Sequence, residues 1–510
     1  MKKCLLITVL IILCNKGFGQ WQWAVHHNLY DGETGICTDE SGNLYVASVD
    51  GNGVAGGNNI YIAKYDGNGN LMWHYYTFFS SFADVYGICY DGKGHVYISG
   101  HYDNLFSDIT FGAYTLTSDS TSGYLVKYDT SGFVIWAKNV YDGAVETDKS
   151  GNIYLGSHWG TFQKLDTSGN IIWTKLYGGW AVIDKYDNIY LGDNFITPTL
   201  TLGSFTLTNT LSGTNDFYLA KADTAGNIIW AQSFGGTGQD YITSVCPDSS
   251  GGAYIAGLFN SSTLLIGSTT LSNAGGYDNY IAKFDSSGAF HWAIRNGGAG
   301  DEDAVSMSYS RTGYIYTAGT FHQSFYVGSS AAISTTHTSG SLYCAKYDTT
   351  GSFVGAEIAT TNDSSFSMSS YFSGPAIAVD VNNNVCMAGS MVADTGFFGS
   401  ITLASPVSTE YYSFVAKLGS SFANGINEIN SEMSSITLFP NPTSSTFTIT
   451  STDKIESVKV YDILGEMVND KWLMVNGGSA SIDISGVSKG IYFAEIKTEK
   501  GVVRKKVVKE

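Results

Sequence analysis

Asp66-Gly-Asn68-Gly-Asn70 sets side-chain oxygens at alternate positions of a glycine-rich loop, which is how a protein holds a hard cation such as calcium. The bidentate Glu that completes such a loop does not follow, and the same position elsewhere in the chain is a plain turn, so the segment reads as a turn without metal. Other reactive patterns are sparse. His26-His27 has no HExxH or triad context, and Gly235-Gly236-Thr237-Gly238 precedes no helix. There is no G-x-S-x-G elbow and no CxxC pair. What remains is a set of aromatic rings and carboxylates: Tyr30, Phe79, Trp180, Asp240, Tyr241, Asp301, Asp303 and Tyr371. Rings stack on the apolar faces of sugars or peptides, and carboxylates accept hydroxyl hydrogen bonds. The set predicts a glycan or protein ligand, no cofactor and no catalysis. The competing readings are an extracellular hydrolase or lyase acting on polysaccharide through two converging carboxylates, and a passive spacer whose aromatics pack only their own loops.

The elements that position these residues are repeats. Tyr218–Trp230 reads YLAKADTAGNIIW, and its skeleton recurs at Tyr61–Trp73, Tyr124–Trp136, Thr161–Trp173 and Tyr280–Trp292. Tyr343–Gly355 has Gly in place of the Trp, and Phe414–Ser421 is a degraded copy. Lys64, Lys127, Lys164, Lys221, Lys283, Lys346 and Lys417 mark one register. Internal repetition decides the fold before any other signal. Asp at the first turn position and Gly at the fourth predict a type I turn closed by a left-handed Gly, the bulged hairpin. The flanking β-branched and aromatic residues predict two antiparallel strands, with Lys on one face and apolar residues on the other face of a half-buried sheet.

A second hairpin alternates with the first, seven times, from Cys37–Ser48 to Val379–Gly389. Two hairpins make four strands, which is one blade of a propeller. The expected fold is all-β: a seven-bladed β-propeller of four-stranded antiparallel blades plus a small C-terminal Ig-like β-sandwich. The Lys417 strand has no Trp strand after it, whereas Trp21–His27 stands alone at the other end. The first strand is therefore expected to close the last blade. Lys127 and Lys164 are the closest-spaced pair, and Gly-centred segments such as Ile109–Ser118, Leu200–Asn209, Leu264–Asn273 and Phe397–Ser405 stand as extra segments between the hairpins of other units.

Trp230–Gly257, WAQSFGGTGQDYITSVCPDSSGGAYIAG, resembles the bacterial SBBP-type β-propeller repeat, and so does the unit that follows it. The resemblance implies an exported propeller without a common catalytic activity. Leu438–Ile449, Val458–Val468 and Gly490–Glu510 closely resemble, in that order, the C-terminal sorting domain of type IX secretion. That resemblance implies handling by the type IX machinery and delivery to the medium or the outer-membrane surface. Residues 1–19 begin with Lys2-Lys3, then carry the apolar run Leu5–Leu13 and small residues, as a secretory signal does. That run is too short to span a bilayer, and no other segment is expected to. The expected organisation is signal 1–19, propeller 20–419, linker 420–433 and sorting domain 434–510.

Charge narrows the partners. Residues 20–429 carry 35 Asp and Glu against 14 Lys and Arg, so a nucleic-acid partner is not expected. Cys37, Cys89, Cys246, Cys344 and Cys386 stand where other units carry Val, Ile, Ala or Tyr, and read as small packing residues rather than a disulfide framework.

Overall fold

The computed structural model describes residues 21–27, 35–50, 59–77, 82–103, 108–117, 122–157, 160–302, 305–322, 324–327, 331–334, 340–361, 366–367, 376–392, 395–404, 411–420, 436–451, 454–462, 467–469, 472–476, 479–498 and 501–510. The expected signal 1–19 and most of the expected linker lie outside them. The chain divides into two compact units, Met1–Gly425 and Ile426–Glu510.

Among the described residues, the sheets of the first unit are all antiparallel. Gly35–Thr38, Leu44–Asp50, Asn59–Tyr65 and Leu71–Thr77 form the first, each strand bonded to its chain neighbour. The same four-strand path recurs in sheets that start at Ala83–Tyr90, Ala144–Thr147, Trp180–Ile183, Asp240–Pro247 and Ser306–Tyr309. A seventh path runs Ala376–Val379, Val385–Val392, Tyr411–Leu418 and then back to Trp21–His27. The seven leading strands pack on one another in that order, and the strand of the last sheet packs on that of the first. Sheets arranged in a closed cycle about an axis form a β-propeller.

Local chemistry follows the repeat. In the Asp66 turn, Asp66 Oδ1 accepts from the N–H groups of Asn68 and Asn70, and Oδ2 accepts from Asn70 Nδ2. Gly69 N–H closes the turn on Asp66 O with φ at 85°, a left-handed value that favours glycine. A register shift follows Lys64, as the bulged hairpin requires, and the same shift follows Lys127, Lys164, Lys221, Lys283 and Lys346. Gly-centred hairpins appear in the second, fourth, fifth, sixth and seventh repeats. In the sixth and seventh they also pair with the outermost strand of the preceding sheet, covering its open edge.

The lysine register departs from the expected half-buried sheet. Asn59–Tyr65, Asp216–Ala222, Asp278–Phe284 and Ser341–Tyr347 are buried at every residue, the lysines included. A sheet on either side covers both faces of each strand, so alternation does not leave one face in water. Each buried ammonium then needs partners. Lys64 donates to Thr130 O at 3.2 Å in the next sheet's turn, and Trp73 Nε1 donates to the same oxygen at 3.1 Å. Lys221 and Trp230 share Ser286 O in the same way. Within its own sheet the lysine lies over a buried tyrosine, as Lys64 does over Tyr45 at 4.9 Å and Lys164 over Tyr154 at 5.0 Å. Tyr45 and Tyr154 in turn donate to Asp39 and Asp148.

The second unit has two four-stranded antiparallel sheets. One core serves both, with Phe447, Ile449 and Ile482 from one sheet and Val458, Val460 and Ile496 from the other.

Candidate functional site

The strands of the fourth and fifth sheets bring several chemistry-bearing residues to the end opposite their Asp-x-x-Gly turns. Tyr241 and Tyr277 lie with ring centroids 6.2 Å apart, tilted by 40°. Beside them, Asn215 donates through its backbone N–H and through Nδ2 to Gln239 Oε1, at 2.9 and 2.8 Å. Asn215 Nδ2 and the Tyr241 hydroxyl are 3.3 Å apart. Asp301 is exposed and accepts from Tyr277 N–H at 2.9 Å. The result is an aromatic pair edged by two amides and one open carboxylate.

The layer beneath it is a set of buried acids. Asp240 is fully buried; Oδ2 accepts from Gly236 N–H and Ser261 Oγ, which ties two loops together. Burial raises its pKa against those donors. Asp278 accepts from Ala274 N–H at 2.8 Å and Arg295 Nη1 at 2.9 Å. Glu302 accepts from Gly298 N–H and is in hydrogen-bonding contact with Asp278. Burial, with the Asp278 carboxylate adding to it, pushes Glu302 up to about 9, so Glu302 holds its proton at neutral pH.

Among the expected site residues, Asp240, Tyr241 and Asp301 fall in this one region, but Asp240 is a buried brace rather than an open carboxylate. Trp180 is half-buried at the start of its strand, paired with Gly192. Tyr30, Phe79, Asp303 and Tyr371 lie outside the described residues. Tyr277, Asn215 and Gln239 were not anticipated; aligning GTGQDY (237–241 within it) with GAGDED would have marked the loop position but not its ligand chemistry. In the Asp66 loop the carboxylate is saturated by the turn's own donors, which outweigh burial and hold it below the usual carboxylate range. No group of three or more His, Cys, Asp or Glu among the described residues is placed to hold a metal ion.

Known proteins bear on the two units differently. Residues 437–510 match the family model of the secretion system C-terminal sorting domain. The chain carries a type IX sorting tail. That tail indicates export to the medium or the outer-membrane surface, and no helix among the described residues is long and apolar enough to cross a membrane. Regulatory protein FlaEY of Caulobacter vibrioides is 25% identical over 112 residues, 21% of this chain and 12% of that protein. An uncharacterized WD repeat-containing protein of Acanthamoeba polyphaga mimivirus is 26% identical over 165 residues, 31% of this chain and 11% of that protein. The chain thus matches only about a ninth to an eighth of the length of either relative. Among solved structures, the Pan2 WD40 domain of Neurospora crassa covers 78% of this chain and 92% of its own at 9% identity and TM-score 0.42. BamB of Moraxella catarrhalis covers 81% and 94% at 12% identity and TM-score 0.31.

Proposed function

We propose that the protein is a binding protein delivered by the type IX pathway, with a seven-bladed propeller whose loop face takes a glycan or protein ligand. The observation that supports it is the Tyr241–Tyr277 pair edged by Asn215, Gln239 and Asp301, which offers stacking surface, donors and an acceptor together. In this reading the secretion machinery engages residues 434–510, and the propeller is the cargo that works outside the cell. Trp180, at the start of its strand, would extend the same face.

A polysaccharide hydrolase or lyase is the second reading, favoured by the neighbouring carboxyl groups of Asp278 and Glu302, the latter raised by burial. Two features weigh against it. Glycosidase carboxylates stand roughly 5–10 Å apart with substrate between them, whereas these two touch, and both are buried to within 1% of full cover.

The test is a glycan-array and surface-protein pull-down screen of the secreted chain beside its Tyr241→Ala and Trp180→Ala variants. Binding lost in Tyr241→Ala supports the loop face; glycan turnover without retention would replace binding by catalysis. Removing residues 434–510 is expected to leave the propeller in the periplasm, and normal release of that truncation would remove the export part of the reading.

A further inference from the structure

At the turn end of the same strands, the seam between the fifth and sixth sheets differs from five of the other six. Lys64, Lys164, Lys221, Lys346 and Lys417 each donate to a backbone carbonyl of the adjoining sheet's turn. Lys283 instead turns back onto Asp248 of its own sheet and lies over Tyr254 at 3.9 Å. The carbonyl it would otherwise reach, Thr349 O, accepts from Trp292 Nε1 at 3.1 Å and retains a second lone pair. A cleft of about 440 Å³ opens there, lined by these groups and by Tyr309, which stacks on Tyr254 at 5.7 Å.

We propose that this cleft is a saccharide-binding site, separate from the loop face and independent of the function proposed above. Its volume lies within the range of small-ligand sites, roughly 300–1,000 Å³. Its floor is an ion pair, so a charged ligand of either sign meets a like charge there; Asp285, paired with the lining residue His291 at 3.5 Å, and Asp348 act electrostatically on Lys283 and Tyr254, respectively. A neutral group that both donates and accepts satisfies Lys283, Asp248 and Thr349 O at once, and hydroxyl groups on a ring do this. The edges and faces of Tyr309 and Trp292 suit the C–H face of that ring. Ser249 and Thr350 stand exposed at the rim and add two hydroxyls.

Trp292 gives the experiment its signal. The full secreted chain is titrated with methyl glycosides of glucose, galactose, mannose and N-acetylglucosamine while intrinsic tryptophan fluorescence and heat are followed. At least one is expected to bind saturably with Kd about 1 mM or tighter. Thr350→Trp and Ser249→Trp block the rim without touching the buried floor, and each is expected to weaken binding about tenfold or more. The rim variants are also read in the Tyr241→Ala background, which removes any loop-face contribution to the heat. The proposal fails if none of the four binds saturably, if both rim variants with unchanged circular dichroism bind as the parent does, or if Tyr241→Ala alone abolishes the signal.

Discussion

Trp23 and Lys417 face each other across an antiparallel strand pair and donate to one acceptor, Gly67 O, at 3.2 and 3.1 Å. Trp73 and Lys64 stand in the same register opposite each other and share Thr130 O. Trp21–His27 thus supplies, for the seventh sheet, the tryptophan that the repeat supplies internally for the first five; the sixth has Gly355 opposite Lys346. Its ring lies over Gly69, where an added Cβ would come within 2.6 Å of it.

Trp23→Ala is therefore expected to lower stability by about 2–4 kcal/mol, the cost of emptying a partly buried tryptophan site. Deleting Trp21–His27 should abolish a single cooperative transition, because it leaves Tyr411–Leu418 with an open edge. Urea melts followed by circular dichroism decide it, and a midpoint for the deletion matching the parent would remove the closure role.

The hairpins were legible because Asp, Gly and Lys recur at fixed spacing, and each spacing has one backbone solution. What alternation could not say was which surface covers the polar face, so Lys64 and its equivalents read as half-exposed when a second sheet buries them. Asp39 and Tyr45, six residues apart, repeat as Asp148 and Tyr154, and this partner set was present in the sequence but has no meaning until the lysine is known to be buried. The Tyr241–Tyr277 patch was only half legible. Tyr277, Asn215 and Gln239 belong to loops outside the repeating skeleton, and repetition marks only what it conserves within itself. Asp240 misled for a related reason: a loop carboxylate can face a ligand or brace its own backbone, and composition does not separate the two.

Glu302 gives the fold a pH dependence. Burial pushes its pKa from the usual carboxyl range near 4.5 up to about 9 in the folded chain. The folded chain holds the proton that the unfolded chain releases, so this contribution is complete below about pH 4.5 and is lost as pH rises toward 9. Glu302→Gln keeps a neutral donor beside Asp278 at every pH. The variant should match the parent near pH 5 and exceed it by roughly 3 kcal/mol near pH 8, given about 1.4 kcal/mol per pKa unit. Parallel stability curves at both pH values would contradict a Glu302 held protonated by burial.

Cys37, Cys89, Cys246, Cys344 and Cys386, the five of the seven cysteines that lie among the described residues and beyond the expected signal, are free thiols. Burial pushes Cys246 and Cys386 up to about 12, so little thiolate exists at pH 8. Iodoacetamide should label the native chain at well under one thiol per molecule and the urea-unfolded chain at all five. Rapid native labelling at any of them, located by peptide mass, would show a thiol open to solvent.

Lys417 and Asp380 form an ion pair at 2.7 Å with side chains only 4% and 0% exposed, and Asp380 also caps its own turn through Asn382, Asn384 and the Asn384 amide. Here Cys386 stands where other sheets place the tyrosine beneath the lysine, so the carboxylate carries more of the ammonium's compensation. Lys417→Met leaves a buried carboxylate facing methylene groups, and such single removals cost about 3–5 kcal/mol. Lys417→Met with Asp380→Asn removes both charges while the amide keeps the turn's acceptor, and should recover at least half of that loss. A double variant as unstable as Lys417→Met alone would mean that the Gly67 hydrogen bond, and not the ion pair, is what Lys417 contributes.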